Sequence, residues 1–149
     1  MIEGKEYNLK LLGKNQDDLK VISAYLQDSI VKVRDIVFLK QNRTFVMVVN
    51  RFMWEHVEKD IFKENKRIRS AVKFEEVFKV ESKNINQKNQ NRSLEYLAIE
   101  SNLTPQETYK VKIFFSGDSV ITMIVEVIDV VLQDLGKSWN VKYIPKHKI

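Results

Sequence analysis

The stretch NRTFVMVVNRFMWE, residues 42 to 55, predicts the centre of the fold. Successive side chains of an extended chain point to opposite faces, and here both faces are apolar: Phe45, Met47 and Val49 on one, Val46 and Val48 on the other. Two apolar faces are typical of a central strand that is covered on both sides. We therefore predict a buried central strand from Thr44 to Phe52.

The polar pair Asn50 and Arg51 interrupts this apolar run near its end. Alternation places Asn50 on the face of Val48 and Arg51 on the face of Val49. Because the two side chains point to opposite faces, they are expected to have different surroundings.

Two interpretations of Arg51 are open. In the first, Arg51 lies under Trp54 and forms a forked ion pair with Asp28 or Glu55, which makes it a structural bridge. In the second, Arg51 opens into a cleft and binds an anion. The bridge is favoured, because a lone arginine among core aromatic residues is more often satisfied internally. The residues that could form a binding site are Gln27, Asp28, Asn50, Arg51, Trp54 and Glu55.

The segments before the central strand predict a strand, a helix and an extended run. Tyr7 to Leu12 predicts the first strand. A helix is predicted from Asp18 to Gln27, with Asp17 or Asp18 as its N-cap. Ile30 to Leu39 is extended, and the loop KQNR, residues 40 to 43, connects it to the central strand.

The segments after the central strand predict further strands and a second helix. Alternating apolar residues predict strands at Ile68 to Phe74, Val77 to Ser82, Leu94 to Glu100, Tyr109 to Ser116 and Ser119 to Val127, with a tight turn at Gly117 and Asp118 between the last two. The charged stretch Glu55 to Lys66 is compatible with a helix, and KNINQKNQNR, residues 83 to 92, predicts a solvated hairpin loop. Helical spacing from Ile128 to Leu135, followed by Gly136, predicts a C-terminal helix.

Together these elements predict one α+β domain that spans residues 1–149. Its sheet is expected to be curled and mostly antiparallel, or a partly open barrel, with about seven strands. One helix is expected after the first strand and another at the C-terminal end.

The composition argues against several classes of site. The chain contains no cysteine, and its two histidines, His56 and His147, are too few for a zinc site. The four glycines are scattered, so the sequence lacks a glycine-rich phosphate loop. We therefore predict neither a metal nor a cofactor.

The hydropathy pattern favours a soluble cytoplasmic protein. Charges are interspersed among the apolar residues of the N-terminal region, which differs from the continuous apolar core of a signal peptide. No stretch reaches the roughly 20 apolar residues that a membrane-spanning helix needs. We therefore expect no membrane partner.

The net charge of +5 raises the question of nucleic-acid binding. Residues 63–92 contain nine basic and four acidic side chains, a surplus that equals the net charge of the whole chain. However, 19 of the 25 basic residues are lysine, and arginines and aromatic residues facing one groove are more typical of a nucleic-acid surface. Nucleic-acid binding is therefore the least favoured class of function.

Three segments carry a resemblance to a known family: ISAYLQDSIVKVRDI, NRTFVMVVNRFMWE and GDSVITMIVEVIDVVLQDLGKSW, in that order. The combination of LQD, NRFxWE and DLG followed by a tryptophan resembles the domain-of-unknown-function family 2948. That family consists of small, uncharacterised alpha-proteobacterial proteins. The resemblance implies no activity, because the family has no assigned catalytic residues.

Three functions remain open from the sequence. The favoured one is a non-enzymatic cytoplasmic binding or accessory module for a protein or a small ligand, and a homodimer is compatible with it. The second is an enzyme of unknown reaction with a site built from arginine, asparagine and carboxylate groups. The third is weak nucleic-acid binding through residues 63–92.

Overall fold

The computed structural model of the protein describes residues 8–55 and 65–141. These residues form one α-helix, ten strands and two short 3₁₀ turns, Val33–Asp35 and Lys40–Asn42. The helix, α1, spans Gln16–Tyr25. The strands are β1 Lys10–Gly13, β2 Ile30–Lys32, β3 Ile36–Leu39, β4 Thr44–Phe52, β5 Lys66–Phe74, β6 Val77–Lys83, β7 Ser93–Leu103, β8 Tyr109–Phe115, β9 Ser119–Val125 and β10 Val130–Asn140. No helix in the described ranges is both long and apolar enough to cross a membrane.

The ten strands form one sheet in the order β1-β10-β5-β4-β2-β7-β8-β9-β6, and β3 pairs with β4 beside β2. The mostly antiparallel sheet is confirmed, since all of these pairs are antiparallel. The predicted number of about seven strands is too low, and over the described residues the sheet does not close into a barrel. The bounds and central position of the strand Thr44–Phe52 are confirmed, since β4 pairs with β5 on one side and with β2 and β3 on the other, but Val46, Val48 and Asn50 on its second face are only half-buried.

The core lies on one face of the sheet, which we call the inner face, and α1 packs against β1 and β7. Leu19 and Ile22 anchor the helix, with exposed fractions of 2% and 1%. β1 approaches this contact closely at Gly13, where an added Cβ would lie 2.6 Å from Val130 Cγ1. Real Cβ atoms essentially never approach a neighbour so closely, so a larger residue at this position would force Val130 or the strand to shift.

The predicted C-terminal helix at Ile128 to Leu135 is wrong, because this segment enters β10. β10 pairs with β1 and β5, and its residues alternate between the core and the outer face. The apolar spacing fits a helical period and a strand period equally well, and the β-branched residues Val130 and Val131 favour the strand. Gly136, predicted to cap the helix, has φ +67° and lies where the pairing with β5 is interrupted.

The predicted helix Asp18 to Gln27 is misplaced, because α1 begins and ends two residues earlier. Its N-cap is Asn15, whose side chain accepts the N–H of Asp18 at 2.8 Å. The first strand also lies further along the chain than predicted, at Lys10–Gly13, and Tyr7 is outside the described residues. Most of the predicted helix Glu55 to Lys66 also lies outside the described residues.

Two loop predictions have different outcomes. The tight turn at Gly117 and Asp118 is confirmed, with positive φ at both residues, as the β8–β9 hairpin requires. The loop of residues 83–92 does not join a hairpin, because β6 pairs with β9 while β7 pairs with β2 and β8. Its backbone is held in place: the carbonyl oxygens of Arg92 and Gln90 each accept a hydrogen bond of 3.0 Å from the Val33–Asp35 turn.

Candidate functional site

Arg51 lies in β4 with its side chain on the core face, as the alternation predicts. It is 0% exposed and is among the largest fully buried side chains of the described chain. An arginine in this position is stable only if its charge is paired and its N–H groups are bonded.

Two carboxylates surround the Arg51 guanidinium. Glu55 receives a forked pair of hydrogen bonds of 2.9 and 2.8 Å from Nη1 and Nη2. Asp134 receives bonds of 3.1 and 2.9 Å from Nε and Nη2. A bond of 3.4 Å from Nη1 to the carbonyl oxygen of Phe52 brings the total to five, which equals the number of N–H groups on a guanidinium.

Asp134 is itself held by its neighbours. Its oxygens accept a 2.6 Å bond from Ser70 Oγ and a 3.0 Å bond from the backbone N–H of Leu9. Burial alone would lower the pKa of Arg51, but the hydrogen bonds and charges of Glu55 and Asp134 outweigh it and raise the pKa. We call Arg51, Glu55, Ser70 and Asp134 the Arg51 cluster.

The geometry of the Arg51 cluster is that of the predicted bridge, with two corrections. The predicted fork to Glu55 is present, but the second carboxylate is Asp134, which the sequence analysis had placed on a helix. The ring beside the guanidinium is that of Tyr25, with its centroid 5.9 Å away. Trp54 packs edge-on against Phe52 at 4.6 Å.

The predicted site residues Gln27 and Asp28 contribute their backbone. The carbonyl oxygen of Gln27 accepts a 2.8 Å bond from the Trp54 indole N–H. Arg67 Nη1 donates to the carbonyl oxygens of Asp28 and Asn50, at 3.1 and 3.0 Å. Burial lowers the pKa of Arg67, and the charge of the Asp28 carboxylate opposes this shift. These bonds join the end of the α1 segment to β4 and β5.

Asn50 is separated from Arg51 because its side chain faces the outer side of the sheet. It lines a cleft of about 150 Å³, which we call the Asn50 cleft. The other lining residues are Ile30, Lys32, Arg34, Asp35, Val48, Arg69 and Ser93. A separate groove of about 250 Å³ is lined by Ala24, Tyr25, Trp54 and Glu55. The six predicted site residues therefore do not converge on one site.

A larger cavity of about 320 Å³ lies on the inner face of the sheet, and we call it the inner cavity. Its apolar lining residues are Val33, Ile36, Phe38, Phe45, Val80, Ile85 and Ile121. Its polar lining residues are Ser82, Gln87 and Gln90. This cavity was not predicted from the sequence, although Ile85, the one aliphatic residue of the loop 83–92, is a signal that the loop packs inward.

The described basic side chains of residues 63–92 lie in different parts of the fold. Arg67 is half-buried in the bonds described above, and Arg92 donates to Asn84 O and Ser119 Oγ. The lysines of β5 and β6 lie in strands that are far apart in the sheet order. Within the described ranges, no three histidine or acidic side chains form a metal-binding group; His56 and His147 lie outside these ranges.

Comparison with known proteins identifies one family. A family model described as "Protein of unknown function (DUF2948)" matches residues 9–147, which confirms the resemblance found in the sequence. No curated protein matches the chain, and no solved structure matches it either.

Proposed function

The chain belongs to the DUF2948 family, and we propose that it is a non-catalytic binding module that holds a small, mainly apolar ligand in the inner cavity. The observation that carries this proposal is the size of the cavity. A space of about 320 Å³ is at the lower end of the range of ligand pockets.

The lining of the inner cavity indicates the class of ligand. Each of its described lining residues is uncharged, and the polar ones are a serine and two glutamines, which both donate and accept hydrogen bonds. An apolar cavity of about 150 Å³ holds benzene, so this cavity has room for two fused rings or a short aliphatic chain. A neutral ligand with one polar end fits best.

The same geometry supports binding rather than catalysis. The inner cavity lacks a described acid or base that could transfer a proton to a reacting group. The arginine of the alternative enzyme hypothesis, Arg51, uses its five N–H groups on Glu55, Asp134 and Phe52. Each N–H group of this guanidinium is therefore already bonded within the protein.

A fluorescence titration tests the proposal. The probe is 1-aminonaphthalene, a neutral aromatic amine with two fused rings whose emission shifts to shorter wavelengths in apolar surroundings. We expect saturable binding with one probe per chain, and displacement by a neutral aliphatic alcohol of about ten carbons.

The matched variants are Val80→Trp and Val37→Trp. Val80 lines the inner cavity, whereas Val37 is 45% exposed on β3. We expect Val80→Trp to fill the space and weaken probe binding by roughly tenfold or more, which is about 1.4 kcal/mol. Val37→Trp should bind like the wild type. Equal binding by both variants, or no saturable binding by the wild type, would refute the proposal.

A further inference from the structure

We propose that the Asn50 cleft is a binding site for a small oxyanion of the phosphate or carboxylate class. The cleft lies on the outer face of the sheet and the inner cavity on the other, so this proposal is independent of the first. The 3₁₀ turn Val33–Asp35 separates the two sites: Val33 lines the inner cavity, while Arg34 and Asp35 line the cleft.

Strand register brings the side chains of the cleft together. Asn50 of β4 pairs with Ile30 of β2 on one side and with Arg69 of β5 on the other. Ser93 of β7 pairs with Lys32. The cleft therefore draws its donors from four adjacent strands of an antiparallel sheet, which holds them in fixed positions.

The cleft has a surplus of positive charge. Lys32, Arg34 and Arg69 line it, and Asp35 is the one carboxylate among its described lining residues. Arg69 and Asp35 are 3.8 Å apart, too far for a hydrogen bond, so this pair leaves guanidinium donors available. Like charges held close together repel, and a dianion placed between them would balance the surplus of two.

The neutral groups and the volume narrow the choice of anion. The Asn50 amide and the Ser93 hydroxyl can each donate a directed hydrogen bond. Arg34 is oriented by a 3.2 Å bond from Nη1 to Asn91 Oδ1. A volume of about 150 Å³ corresponds to roughly five waters, or about five non-hydrogen atoms, which is the size of a tetrahedral oxyanion.

Calorimetric titration with inorganic phosphate and with oxalate tests this site, with chloride at equal ionic strength as the reference. We expect one dianion to bind per chain and to compete successfully with chloride. Tighter binding of phosphate would assign the site to phosphates, and tighter binding of oxalate would assign it to carboxylates. If neither dianion binds more tightly than chloride, the proposal is wrong.

Point variants distinguish a specific binding site from nonspecific attraction of anions to a basic protein. Arg69→Gln should raise the Kd roughly tenfold or more, because a charge-assisted hydrogen bond is lost. Asn50→Asp, which preserves shape but adds a negative charge, should abolish binding.

The control is Lys73→Gln, on the same strand and face about 13 Å away, where Lys73 already pairs with Glu75 at 3.1 Å. It should leave the Kd unchanged. If Lys73→Gln weakens binding as much as Arg69→Gln, the attraction is diffuse and the site does not exist. Thermal melts of the three variants verify that each remains folded.

Discussion

Replacing Arg51 with alanine removes the cation that joins Glu55 and Asp134. The Asp134 carboxylate, whose side chain is 0% exposed, would lose its charged partner while remaining buried. Breaking a buried ion pair by removing one partner costs about 3–5 kcal/mol, because the remaining charge is left without compensation. Asp134 keeps the bonds from Ser70 Oγ and the Leu9 N–H, and Glu55 can turn toward water, so we expect no larger loss.

This loss predicts a fall in melting temperature of roughly 6–20 °C, at about 2–4 °C per kcal/mol for a chain of this length. Circular dichroism melts and urea unfolding of the variant and the wild type measure it. Arg69→Ala in chloride buffer is the control. Arg69 is half-exposed and its pair with Asp35 lies at the surface, so its loss should cost less than about 1 kcal/mol.

A double-mutant cycle separates the ion pair from the packing of the arginine side chain. Arg51→Met and Asp134→Leu each remove one charge, and the double variant removes both. We expect a coupling energy of roughly 1–3 kcal/mol, since the double variant leaves no unpaired charge at Asp134. An Arg51→Ala variant that melts within about 2 °C of the wild type would refute the reasoning, because it would show that the cluster contributes little to stability.

The remaining predictions concern other parts of the fold. Burial raises the pKa of the Tyr96 phenol, so its contribution to stability should be complete below about pH 10, the pKa of the unfolded tyrosine, and decline as the pH rises toward the folded pKa. Urea unfolding across this range should show a smaller decline for Tyr96→Phe. Gly13→Ala should cost about 1–3 kcal/mol by thermal melt, because its Cβ would meet Val130; an unchanged melt would contradict the close approach. Replacing residues 84–91 with a short turn should also lower the melting temperature, because it removes the Gln90 bond to the Val33–Asp35 turn and the packing of Ile85; an unchanged melt would show that this loop is dispensable.

The central strand could be predicted because the local strand preference of its residues agrees with its buried, central position in the sheet. β4 is a short continuous apolar run rich in β-branched and aromatic residues, which favour a strand, and Arg51 stands out on its core face. Its partner Asp134 could not be predicted in the same way. The sequence around Asp134 fits a helical period and a strand period, and the choice between them depends on pairing with β1 and β5.

The inner cavity and the Asn50 cleft could not be predicted from the periodicity of the sequence. The Asn50 cleft includes a residue that the sequence analysis selected, but its cations come from β2, β5 and the 3₁₀ turn between β2 and β3. The inner cavity is lined from β3, β4, β6, β9 and a loop. Only the strand order brings these residues together, and that order is set by long-range pairing.

The position of Asp134 also affects the order in which the chain can fold. Arg51 and Asp134 are 83 residues apart, and β10, which carries Asp134, lies between β1 and β5 in the sheet. On the ribosome, β4 and β5 are synthesised long before β10, so Arg51 has no buried carboxylate from Asp134 while these strands first meet. Pairing at such sequence separation is slow, because loop-closure entropy must be overcome first. We expect the nascent chain to commit to its final sheet only after residue 140 has left the exit tunnel, so chains truncated before β10 should be readily cleaved by protease.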